Sequence, residues 1–142
     1  MGRRAELASA GLGGLAALHV SWAAGSSWPL RDKATLSDAV IGHDGFPSAA
    51  ACLAVAGMLS AGSAFVAGWP ADAQALQRIG AVGVVVALSL RGALGLAGLT
   101  HVVSPGSSSR RFRRLDRRIY APLSLTLAAL ALPAARQRQT QS

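Results

Sequence analysis

The sequence predicts an all-α protein, a four-helix transmembrane bundle forming one domain over residues 1–142. Three observations carry this expectation. Four apolar stretches, over 7–30, 45–71, 79–109 and 119–135, each reach the length of about 17 residues that lets a helix cross a hydrocarbon core. Only 14% of the residues are charged against 51% hydrophobic, and mean hydropathy is +0.39, too little charge for an ordinary soluble surface. Aromatic residues, at 5%, and β-branched residues are too sparse for a sheet protein.

The first span is expected over 7–24, with Gly11 and Gly14 on neighbouring turns and His19 and Trp22 sharing a face at i, i+3. Gly25-Ser-Ser-Trp-Pro29 breaks it. A polar connector follows, in which 32–41 predicts a short interfacial helix presenting Leu36, Val40 and Ile41, with Trp28 at headgroup depth. The second span is expected over 46–68, opened by Phe46-Pro47, where a first-turn proline is tolerated, and carrying Gly57 and Ala61 as a small-xxx-small pair. Trp69-Pro70 marks the far interface and 72–78 a tight polar turn. The third span, 79–102, places Gly83, Ala87, Arg91 and Gly95 in one stripe at i+4 spacing. After a Ser/Pro/Gly segment and the basic run 110–118, the fourth span covers 119–135, with Asp116 as the expected N-cap and Pro122 in the first turn. Ala, Gly and Leu fill all four, so close backbone approach is the expected packing mode.

Met1-Gly-Arg-Arg before an apolar run resembles a signal peptide, but Trp22-Ala23-Ala24 offers a bulky ring where a small residue is wanted, so retention is expected. The single Cys52, among Ala and Leu, excludes an intramolecular disulfide and multi-cysteine metal or redox motifs. Arg3, Arg4, Arg78, Arg136 and Arg138 fall on the side of the termini. Arg31, Lys33, Arg110, Arg111, Arg113, Arg114, Arg117 and Arg118 fall opposite, so the positive-inside rule favours termini outside the plasma (inner) membrane.

In any antiparallel four-span bundle the end of the first span, the start of the second, the end of the third and the start of the fourth lie at one membrane face. His19, Trp22, His43, Asp44, His101, Asp116 and Tyr120 fall there, and Arg91 lies within reach below them. Three pieces of the chain, His19-Val-Ser-Trp22-Ala-Ala-Gly25, Leu90-Arg91-Gly-Ala-Leu-Gly95 and Phe112-Arg-Arg-Leu-Asp116-Arg-Arg-Ile-Tyr120-Ala-Pro-Leu123, resemble domain of unknown function 3995, a family of small four-span bacterial membrane proteins. His19, Trp22, Arg91, Asp116, Arg118, Tyr120 and Pro122 match that family's pattern. Leu115 and Ala121 depart from it, standing where a tryptophan and a serine are usual. The resemblance implies a fold and a site, and no activity.

Arg91 is the strongest functional pointer, because none of the four apolar stretches holds an Asp or Glu to neutralise it. An arginine at mid-bilayer costs about 2.5–3.5 kcal/mol on insertion scales. Snorkelling, a structural ion pair with Asp116 or Asp44, or a guanidinium fork for the carboxylate or phosphate of a ligand would each compensate it. The expected polar pocket comprises His19, Trp22, Arg91, Asp116 and Tyr120. Arg110, Arg111, Arg113, Arg114, Arg117 and Arg118 are expected to contact anionic lipid headgroups. Phe112 is the only aromatic among them, so nucleic acid is not an expected partner.

No spacing such as His-x-x-x-His supports a metal among His19, His43 and His101, and no cofactor is expected. The span interiors lack the carboxylate a proton-coupled transporter would use. A multi-pass membrane protein that binds a small anion, a lipid headgroup or a membrane-protein partner, its own copies included, is therefore the leading expectation. The alternative is a membrane-embedded enzyme acting on a lipid or isoprenoid substrate, with Asp116 orienting His19 as base, Arg91 stabilising developing charge and Tyr120 donating a proton.

Overall fold

The computed structural model describes residues 2–102 and 104–136; Arg138, counted above with the termini, lies outside them. Within these residues the chain forms α1 (Arg3–Ala23), α2 (Lys33–Val40), α3 (Ala49–Ala67), α4 (Gln74–Ala97), a 3-10 turn (Thr100–Val102), α5 (Arg110–Leu115), a π turn (Asp116–Tyr120) and α6 (Ala121–Arg136). No strand occurs among the described residues, so the all-α expectation holds. Among the described residues three stretches are long and apolar enough to cross a membrane: Ala49–Ala67, Gln74–Ala97 and Arg110–Arg136. The 21-residue α1 is not among them, diluted by Ser9, Ser21, His19 and three glycines.

The helix ends follow local chemistry. At the end of α1 the Gly25 N–H reaches Trp22 O and the Ser26 N–H reaches Ser21 O, each at 3.0 Å, closing the last carbonyls. Asp32 caps α2 by accepting the Thr35 N–H at 2.7 Å, and that bond holds its carboxyl below the usual carboxylate range. Ser48 caps α3, so Pro47 precedes the helix rather than occupying its first turn. α4 begins at Gln74 because Gln74 to Arg78 are good helix formers, which shortens the expected polar turn. It stops at Gly98, whose φ of +74° costs a glycine little, and Leu99 N–H closes back on Leu94 O at 2.8 Å.

The largest departure concerns the last helix. The basic run is helical: Ser109 accepts the Phe112 N–H, and α5, the π turn and α6 run on as one 27-residue rod. Asp116 is therefore not an N-cap. It lies inside the rod and faces α4.

α1 packs chiefly on α3 and α4 on α6, while α1 against α6 and α3 against α4 join the two pairs. A Cβ at Gly92 would meet Leu125 at 2.5 Å and one at Gly95 would meet Ala121 at 2.7 Å, an antiparallel register in which α4 and α6 nearly touch backbones. Gly62 faces Val84, Gly80 lies under the Phe65 ring, and Gly11 accepts Leu127. Hydroxyls of Ser9 and Ser63 bond at 2.9 Å between α1 and α3, satisfying both without water. The expected Gly57 and Ala61 contact is not made inside the chain, since nothing lies within 4 Å of a Cβ at Gly57.

Two apolar clusters form at opposite ends of the bundle. One gathers Ala5, Ala8, Leu12, Val66, Ala81, Leu127, Ala131, Ala134 and Ala135. The other gathers Trp22, Leu36 and Cys52, with Leu18 and Phe46 packed against them. Polar groups collect at the second end.

Candidate functional site

Arg91 projects from α4 toward the rod, and its Nη2 donates to Asp116 Oδ1 at 2.6 Å. The Thr100 hydroxyl, from the 3-10 turn after α4, donates to Asp116 Oδ2. Both carboxylate oxygens are thereby engaged, which matters because Asp116 is only 2% exposed and an uncompensated charge there would be costly. Arg91 is 32% exposed, so one side of the pair is open. Its Nη1 is buried with no acceptor among the described atoms.

Gly95 makes the room. A Cβ at that position would lie 2.9 Å from Arg91 Nη1 and 3.2 Å from Asp116 Oδ1, in addition to its overlap with Ala121. Asp116 and Ala121 thus both abut Gly95. In an α-helix, residues five apart point about 140° away from each other. The π turn, whose Ala121 N–H bonds back to Asp116 O, brings them onto one face.

Tyr120 lies one turn farther on. Its hydroxyl donates to Ala39 O at 2.9 Å, and its ring sits 6.3 Å from Phe112, which is buried beneath Gly42. The Ser107 hydroxyl donates to Ile41 O at 2.6 Å, and the Ser108 and Ser109 N–H groups reach Gly42 O at 3.1 and 3.0 Å. These bonds fasten the connector holding α2 to the loop after α4, and so fix the mouth of the Arg91 and Asp116 site.

His19 and Trp22 form a separate pair. The His19 ring lies 4.8 Å from the Trp22 ring, and its Nδ1 is engaged with Leu15 O at 2.8 Å. Trp22 Nε1 donates to Trp28 O at 2.8 Å, and the ring meets Phe46 edge-on at 6.2 Å. Among the described residues no hydrogen bond joins either ring to Arg91 or Asp116. The structure therefore links Arg91 with Asp116, and His19 with Trp22, while Tyr120 turns to α2. His43 engages Asp44 O, not the other histidines, and no group of three His, Cys, Asp or Glu suited to a metal occurs among the described residues.

Above the ion pair opens a crevice of about 220 Å³, lined by Gly95, Gly98, Thr100, His101, Ser107, Ser108, Arg113, Asp116 and Arg117. Arg113 and Arg117 are one helical turn apart and contribute to the same wall. A Cβ at Gly98 would lie 2.5 Å from Arg117 Nη2, so this guanidinium rests on the C-terminal end of α4, where the helix dipole is negative. Sequence reasoning names Arg113, Arg117 and Asp116 but misses Gly98, Thr100, Ser107 and Ser108. Their available signal is the abrupt change at 98–109 from apolar span to hydroxyl-rich segment beside a basic run.

The family described as Protein of unknown function (DUF3995) matches the chain over residues 12–131. No curated protein and no solved structure matches it.

Proposed function

We propose that this chain, which belongs to the DUF3995 family, is a four-span protein of the plasma membrane that acts by binding an anionic group in the crevice above Arg91 and Asp116. Support for α1 as the fourth span comes from its 21 residues, about 31 Å of helix, and from its packing along α3 and α6. Large apolar side chains exposed on the other helices, among them Leu53, Met58, Ile79, Val86 and Leu90, suit contact with acyl chains.

One observation carries the binding reading. Among the described residues Asp116 is the only carboxylate lining the crevice, and Arg91 already neutralises it, so no carboxylate there is left for Arg113 or Arg117, the latter meeting only the negative end of α4. Planar guanidinium forks one turn apart suit a carboxylate or phosphate. The remaining arginines of the run, Arg110, Arg111, Arg114 and Arg118, would lie at headgroup depth and add about 1 kcal/mol each toward an anionic surface.

The test is a titration of the purified full chain in neutral detergent with short-chain anionic and zwitterionic lipids. Anionic lipid should bind selectively, and Arg113→Gln with Arg117→Gln should abolish the selectivity while far-UV circular dichroism shows the helices retained. Equal binding of both lipids by the parent protein would overturn the reading.

A further inference from the structure

Resting on the anion-binding reading above, we infer that the group taken by the crevice is a phosphomonoester, a terminal phosphate carrying two charges, rather than a bridging phosphodiester. The crevice charge balance comes first. With Asp116 and Arg91 cancelling, two guanidinium charges from Arg113 and Arg117 remain, and no second carboxylate lines the space. A dianion neutralises that pair; a diester, with one charge, leaves half of it unmatched.

The donor inventory agrees. Thr100 is committed to Asp116, and Ser107 donates to Ile41 O while touching Ser104. Arg113, Arg117, Ser108 and His101 supply the other donor-bearing residues that line the crevice. These suit three terminal oxygens better than the two non-bridging oxygens of a diester.

The crevice, about 220 Å³, has room for a terminal phosphate and the atoms next to it. Leu96, Leu99 and Val102, all exposed, lie within three residues of the lining residues Gly95, Gly98 and His101. Exposed apolar side chains on the same segment suit a phosphate carried on a lipid chain. The shared chemistry is the terminal phosphate.

Full-length protein in neutral detergent is titrated at pH 8 with dihexanoyl phosphatidic acid, dihexanoyl phosphatidylglycerol, inorganic phosphate and a phosphatidylcholine control, with affinity read by calorimetry. Even at water's dielectric, one extra charge about 5 Å from two guanidinium charges corresponds to about tenfold in affinity. Phosphatidic acid should therefore bind about tenfold or more tightly than phosphatidylglycerol. Arg113→Gln, an exposed position, should cut that ratio to below about threefold at an unchanged unfolding midpoint. Arg117→Gln should cut the ratio as far, with a lower unfolding midpoint because its contact with the end of α4 is also lost. Inorganic phosphate competing as well as phosphatidic acid would uphold the terminal phosphate and assign it to a soluble source. Failure of inorganic phosphate to compete would uphold it and assign it to a lipid. Phosphatidylglycerol binding as tightly as phosphatidic acid would overturn this inference while leaving the anion site standing. If neither exceeds phosphatidylcholine, the anion site itself falls.

Discussion

Replacing Asp116 by Asn keeps the shape of the side chain and removes its charge, which isolates what the carboxylate does for Arg91. In the parent protein the guanidinium is tied to Oδ1 at 2.6 Å and Thr100 occupies Oδ2. Breaking a buried pair from one side costs about 3–5 kcal/mol because the other charge is stranded. Arg91 is 32% exposed, so the lower end applies, about 3 kcal/mol. Arg91→Met should cost less, about 2 kcal/mol, because the Thr100 hydroxyl still donates to the stranded carboxylate. The double variant strands no charge: Met is apolar and the Asn amide oxygen still accepts from Thr100. It should lie within about 1 kcal/mol of the parent, so that the two substitutions are non-additive by about 4–5 kcal/mol. The assay is reversible unfolding of the reconstituted protein in a denaturing-detergent titration followed by far-UV circular dichroism. Single effects below about 1 kcal/mol, or a double variant as damaged as the two singles combined, would refute the account of Arg91 as a charge held in place by Asp116.

Gly80→Ala should destabilise by about 1–3 kcal/mol, because its methyl would overlap the Phe65 ring, whereas Gly57→Ala, with nothing within 4 Å, should be neutral or stabilising by up to about 1 kcal/mol; the same unfolding titration separates them. Tyr120→Phe removes the bond to Ala39 O and should cost about 1 kcal/mol, together with faster amide exchange in α2. Asp32 has a folded pKa below its unfolded value, so its contribution to α2 is present above the ordinary carboxylate range and is lost as pH falls through the folded pKa. Exchange of the Thr35 amide, compared between parent and Asp32→Ala after correction for intrinsic rates, should therefore differ at neutral pH and converge in acid.

Helix identity was legible because apolar runs of span length leave few alternatives, and the pairing of His19 with Trp22 followed from i, i+3 spacing. Asp116 stood among the candidate partners of Arg91, since both lie near the same bundle end. Its helical setting was hidden for a physical reason. Six arginines in nine residues resemble a solvated loop, yet arginine is a good helix former, and Ser109 supplies the cap. The π turn has no compositional signature, as it depends on one residue of register rather than on residue type. The crevice was hidden because Thr100, Ser107 and Ser108 acquire their positions only through bonds to distant partners, such as Ser107 to Ile41 and Thr100 to Asp116.

The π turn also sets a phase relation along the rod. Each residue advances an α-helix by about 100°, so one surplus residue offsets Arg110–Leu115 from Ala121–Arg136 by roughly that angle. The half that mates with α4 and the half that carries the arginines therefore point by separate settings, although they share one continuous backbone. Excising a residue between Asp116 and Tyr120 would lock the halves into a common phase. The basic arm would then swing by more than a quarter turn away from the 3-10 turn while Leu125 and Leu127 kept their seats against Gly92 and Gly11.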